Sequence, residues 1–225
     1  MPQVIGQTFD VDRRLEVLNL ERKNLVAVVR AAVAAVGNCT ENDPPTARGY
    51  ECWRAAVRVL REIHRSLGWE KDDASNFSTI VNKQGRIKIA VANTDDATGN
   101  PKVLPINRSR KGANSDRASQ INQLALPFPE FQSEIQSGDS KGSDYATWYL
   151  CIYVDGDKIR AELSLPTRLE SGYFTEWEER IMLISSDEDW KRAIEWTPSN
   201  EYSSQLNRTP MDDEGPKFEV SITRR

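Results

Sequence analysis

Residues 145–166 read YATWYLCIYVDGDKIRAELSLP, two alternating apolar runs joined by Asp155-Gly156. That dipeptide readily takes the positive φ angles of a two-residue type I′ turn, so the stretch predicts a β-hairpin. With the turn at 155–156, Val154 faces Asp157, Ile152 faces Ile159, Leu150 faces Ala161 and Trp148 faces Leu163. One face then carries Trp148, Leu150, Ile152, Ile159, Ala161, Leu163 and Leu165. The other carries Tyr149, Tyr153, Lys158, Arg160, Glu162 and Ser164, and is expected to meet water. A slip of one residue would turn the apolar set outward, so turn and pattern support each other.

Outward from this ribbon, 180–184 reads as a short strand, 187–196 as a short helix and 217–223 as a closing strand in which Phe218, Val220 and Ile222 alternate with polar residues. On the N-terminal side, residues 77–91 predict a second hairpin with a three-residue turn at Lys83-Gln84-Gly85. Phe77, Thr79, Val81, Ile87, Ile89 and Val91 would then share its apolar face. Further back, residues 20–36 and 46–67 repeat apolar residues at helical spacing and stop at Gly37 and Gly68. Helices that lead and hairpins that follow imply an α+β class. The expectation is two N-terminal helices packed on a mostly antiparallel sheet built from hairpins. The whole chain, 1–225, is read as a single domain, with a helical part at 1–70 and a β-rich part at 75–225.

Composition narrows the function classes. The 225 residues carry a formal net charge of −4, distributed as +1 over residues 1–70, +4 over 71–125 and −9 over 126–225. A strongly basic nucleic-acid-binding domain is excluded, while a local basic patch is not. No apolar run is long enough to cross a membrane and no secretory signal is visible. Cys39, Cys52 and Cys151 lack metal-ligand spacing, and reduced thiols in a cytoplasmic protein are the simplest reading. The single histidine, His64, borders the apolar stripe of the second helix and reads as structural.

Residues 92–142 are the unusual part, a long polar loop with little apolar periodicity and at most a short helix at 120–126. Structureless loops of that length inside a domain are usually functional or disordered. Residues 133–143 read as linker. The loop contains Arg108, Arg110, Lys111 and Arg117 close to Gly112 and small polar residues, which suits contact with a phosphate-bearing ligand or nucleic acid. It does not match a Walker loop. Arg54, Arg58, Arg61 and Arg65 form a row along the second helix. Arg54 and Arg58 are secondary candidates, although Glu51 and Glu62 lie within one turn of them.

A non-catalytic binding protein that uses this basic loop toward such a ligand, or toward a protein partner, is the leading expectation, with no cofactor. One alternative is a metal-dependent nuclease or hydrolase in which Asp95, Asp96 and an outward-facing Glu162 hold Mg²⁺. Glu162-Leu163-Ser164 lacks the lysine that an E-x-K nuclease strand carries. Another alternative is an acidic interaction or inhibitor protein that uses the −9 segment. Finally, Trp148, Tyr149, Tyr153, Trp177, Trp190 and Trp196 could form a base-stacking surface on the sheet.

Overall fold

The computed structural model describes residues 2–124 and 145–195. The elements in chain order are β1 (Gln3–Ile5), α1 (Thr8–Val17), α2 (Arg22–Gly37), α3 (Ala47–Ser66), β2 (Glu70–Asp72), β3 (Thr79–Asn82) and β4 (Ile87–Asn93). These are followed by α4 (Ala113–Leu124), β5 (Ala146–Asp155), β6 (Lys158–Glu170), β7 (Tyr173–Ile184) and α5 (Asp187–Glu195). The chain divides into two compact units, Met1–Ile194 and Glu195–Arg225, and every described residue except Glu195 belongs to the first. The expected strand at 217–223 and linker at 133–143 lie outside the described residues.

The α+β class holds, but the sheet is mixed rather than mostly antiparallel. Its order is β1-β7-β6-β5-β4-β3-β2. β1 runs parallel to β7 and β4 parallel to β5, and the other neighbours are antiparallel. The parallel β4–β5 pair follows from the connection between them. Parallel neighbours need a crossover that carries the chain back over the sheet, and the long polar segment with α4 is that crossover.

The 145–166 hairpin forms with the faces predicted but with its pairing moved by two residues. Asp155 pairs with Lys158, Ile152 with Ala161 and Leu150 with Leu163. The turn is therefore Gly156-Asp157, and Gly156 takes the positive φ (+56°) at its first position. A shift of two preserves the face of every side chain, so the apolar set still points inward. The 77–91 hairpin departs by one residue instead. Asn82 pairs with Ile87 and Ile80 with Ile89, which puts Ile80 rather than Thr79 and Val81 on the face shared by Ile87, Ile89 and Val91. The cause lies in the loop: Asn82 Oδ1 accepts from the Gly85 N–H at 2.9 Å, the loop takes four residues, and Arg86 instead of glycine adopts the left-handed angle (φ 52°).

Trp148, Leu150, Ile152, Leu163 and Ile181 share one core with Leu15, Leu25, Val29, Ala56 and Leu60 of α1–α3. α1 is separate from α2 because it closes in a Schellman motif. The Leu20 N–H donates to the Leu15 carbonyl and Asn19 N–H to that of Glu16, both at 2.9 Å, with Asn19 left-handed at φ 54°. α3 contributes His64, fully buried and edge-on to Trp69 with ring centroids 5.1 Å apart. Its Nδ1 contacts the Leu60 carbonyl at 2.8 Å, and since a carbonyl only accepts, Nδ1 carries the proton; Nε2 meets no partner. Burial lowers the His64 pKa, against smaller opposing effects of the Leu60 bond and Glu21.

The unfolded chain, with a histidine pKa near 6.5, therefore binds more protons than the folded chain below that pH. The His64 contribution to stability is complete above about pH 6.5 and falls by at most about 1.4 kcal/mol per unit as the pH drops toward the folded value. Because the chain has one histidine, urea unfolding of the wild type at pH 7.5 and 5.5 should show a loss that a His64→Leu variant does not. Equal losses in both would contradict this assignment.

The opposite face of the sheet is not solvated. Glu162, Ser164, Tyr149, Cys151 and Arg180 are all at most 1% exposed, and Tyr149, Cys151, Phe174 and Trp177 form a second core cluster. α4, longer than the helix expected at 120–126, packs here through Asn122. Its Nδ2 donates to the Thr147 and Pro166 carbonyls at 2.9 and 2.7 Å, and its Oδ1 accepts from the Thr147 N–H at 2.8 Å. An ion pair is buried beside these groups. Arg180 Nε and Nη2 donate to the two Glu162 oxygens at 2.8 and 2.7 Å, while Ser164 Oγ and the Gly99 N–H, at 2.8 and 2.7 Å, complete the carboxylate shell.

Arg180 Nη1 also donates to the Val103 carbonyl at 2.9 Å, so the pair clamps the 94–107 stretch to the sheet. Gly99 sits at φ +74°, and an added Cβ would lie 2.8 Å from the Ile184 carbonyl oxygen. Gly99→Ala should therefore cost about 1–3 kcal/mol in chemical unfolding. Wild-type stability in that variant would show that the stretch is not held in this conformation.

Candidate functional site

β3 pairs with β4 only as far as Ile89. Beyond it, the Asn93 carbonyl accepts from the Arg108 N–H at 2.9 Å and Thr94 bridges to Asn107. Between these two attachments the edge of β4 borders a cavity of about 740 Å³, lined there by Ala90, Val91 and Asn93. The first turns of α3 contribute Arg48, Gly49, Tyr50 and Trp53, and the polar segment contributes Arg108, Ser109, Arg110, Lys111 and Gly112.

The segment is held in place by Asn107, which is 1% exposed. Its Nδ2 donates to the Ser109 and Gly172 carbonyls at 2.7 and 3.0 Å, and its Oδ1 accepts from the Phe174 N–H at 2.8 Å. The Lys111 N–H donates to the Gly172 carbonyl at 2.8 Å and Arg110 Nε to that of Ser171 at 2.9 Å. The cations thus stand on backbone tied to the β6–β7 turn.

The electrostatics of the cavity are one-sided. Arg48, Arg108, Arg110 and Lys111 line it, and among the described residues none of them pairs with a carboxylate. The one acid on the wall, Asp155, accepts from the Tyr153 hydroxyl at 3.2 Å. Elsewhere twelve basic side chains pair with a carboxylate. Arg54 pairs with Glu51 at 2.6 Å, Arg58 with Glu62 at 3.8 Å, Arg61 with Asp73 at 2.5 Å and Lys88 with Asp72 at 2.8 Å.

Lys111 is the one lysine among the described residues that is not exposed and yet has no carboxylate partner. Its Nζ lies 5.9 Å from the centroid of the Tyr149 ring, and burial lowers its pKa. Tyr149 is 1% exposed, and burial, against a smaller opposing effect of Ser115, raises its pKa, which keeps it a neutral phenol.

α3 adds a second source of positive potential. Its first turn has no acidic residue and no side-chain cap, and although the Ala47 N–H donates to the Pro44 carbonyl at 2.8 Å, the positive end of the helix dipole lies among residues that line the cavity. Arg48 stands in that turn, where the dipole disfavours a cation. Asn93 Nδ2 donates to the Gly49 carbonyl at 2.7 Å, while its buried Oδ1 has no donor among the described residues. Cys52 also lines the cavity, but burial pushes its thiol up to about 11, so it is no nucleophile at neutral pH.

Of the residues singled out in the sequence, Arg108, Arg110 and Lys111 come together here. Arg117, Arg54 and Arg58 are not on the cavity wall. Glu162 does not face an open site: it is fully buried, and its carboxylate is taken up by Arg180, Ser164 and Gly99. Among the described residues no three His, Cys, Asp or Glu side chains converge as a metal-binding group.

The expected aromatic surface is corrected as well, because Trp148, Tyr149, Tyr153 and Trp177 are buried; Trp196 lies outside the described residues. Beside Tyr149, the aromatics that border the cavity are Tyr50 and Trp53, within the helix expected at 46–67, and Phe77, within the hairpin expected at 77–91. Among the described residues no helix is long and apolar enough to cross a membrane. Compared with known proteins, the chain matches no family, no curated protein and no solved structure.

Proposed function

We propose that this chain is a binding protein whose cavity takes a phosphate-bearing ligand. The observation that carries the reading is Lys111. A half-buried cation with no carboxylate partner among the described residues is costly, and a bound anion would supply that charge. Arg108 and Arg110 on the same segment, Arg48 and the uncapped start of α3 point the same way, since helix N-termini and arginine forks suit phosphate oxygens. The volume lies within the usual range of small-molecule sites.

Calorimetric titration with inorganic pyrophosphate tests the reading. Binding that weakens as salt rises is expected, because Arg48, Arg108 and Arg110 are exposed and therefore screened. No heat of binding at low salt, for a protein that is folded, would count against it. Of the 20 acidic residues in 126–225 that would carry an inhibitor-like surface, nine lie outside the described residues, four before residue 145 and five beyond residue 195.

A further inference from the structure

We infer that the ligand is a nucleoside monophosphate, with its phosphate among the cations and its base against Tyr50, Trp53 and Phe77; this rests on the phosphate reading above. The first observation is an unsatisfied acceptor on a residue that lines the cavity. Among the described residues Asn93 Oδ1 is buried without a donor, and the bond from its amide nitrogen to the Gly49 carbonyl fixes the side chain in that orientation. A fully ionised phosphate has only acceptor oxygens and cannot fill that need, whereas a ligand that also carries a hydroxyl or amine can. Ribose hydroxyls and exocyclic base amines are such donors.

The second observation is the aromatic content of the wall. Tyr50 is 56% exposed although it is a large ring, and its centroid lies 6.1 Å from that of Trp53. Phe77, only partly buried, lies 6.3 Å from Tyr149, the ring beneath Lys111. Flat π-faces within one small cavity, together with four cations that have no carboxylate partner among the described residues, fit a ligand with both a planar ring and a phosphate. A phosphate alone would leave most of the 740 Å³ to water. A sugar phosphate would satisfy Asn93 but leave the rings unused.

Calorimetry on the full chain separates these ligands, with inorganic phosphate, ribose 5-phosphate and the four ribonucleoside monophosphates (AMP, CMP, GMP and UMP) as probes. At least one nucleotide should bind about fivefold or more tighter than ribose 5-phosphate. Tyr50→Ala should erase that advantage while leaving ribose 5-phosphate affinity unchanged, which also shows that the variant is folded. If the nucleotides and ribose 5-phosphate bind equally, the nucleotide inference is overturned and the phosphate reading stands. If no probe binds, the phosphate reading itself fails, and this inference with it. An advantage that survives Tyr50→Ala and Trp53→Ala would also overturn the placement of the base.

Discussion

Glu162→Gln is expected to destabilise the protein by about 3–5 kcal/mol, the usual cost of leaving one member of a buried ion pair without its partner. Both side chains are fully buried, so neither can recover hydration when the other is neutralised. The change also weakens the acceptor for the Gly99 N–H and for Ser164 Oγ. Arg180→Met should cost a similar amount and in addition release the Val103 carbonyl. The double variant Glu162→Leu with Arg180→Met should be more stable than the sum of the single losses predicts, because no lone charge remains. Chemical denaturation of the four proteins measures this. Additive losses, or single losses below about 1 kcal/mol, would mean that the pair is not desolvated in the folded protein.

The second large effect concerns the cavity. Replacing Arg108 and Arg110 by Gln and Lys111 by Met keeps the aliphatic stems while removing three charges. Each charge-assisted hydrogen bond to phosphate is worth about 1.5–3 kcal/mol, so pyrophosphate affinity should fall by at least about 100-fold. Thermal stability should change little, since none of the three makes an ion pair among the described residues; the largest structural loss is the Arg110 bond to the Ser171 carbonyl. Unchanged affinity in this variant would remove the segment from the binding site. An Arg54→Gln and Arg58→Gln control, whose targets already pair with Glu51 and Glu62, should bind as the wild type does.

What was legible in the sequence was periodicity. The apolar face of the 145–166 hairpin was read correctly because any pairing moved by an even number of residues leaves the same side chains inside. The 77–91 hairpin was misread because its loop geometry depends on one side-chain bond, Asn82 to Gly85, which alternation does not reveal. The buried second face was illegible for another reason. Glu162, Ser164 and Arg180 look like solvent residues until each is seen to satisfy the others, and the segment that covers them has no periodic signal of its own.

The cavity was half legible. Arg108, Arg110 and Lys111 stood out as a basic run beside glycine, but Asn93, Tyr50 and Phe77 join them only through the mixed sheet. Arg48 had a signal that could have been used: a cation in the first turn of a long helix that has no acid there opposes the dipole and suggests an external anion.

Hydrogen exchange with and without saturating pyrophosphate tests the central claim most directly, because it reports where the ligand sits as well as whether it binds. The account predicts slowed exchange in peptides that cover residues 46–53 and 107–115, with the α2 and β6 peptides unchanged. Protection confined to other regions, or none at either segment under conditions where binding is measured, would contradict the assignment of the cavity as the phosphate site.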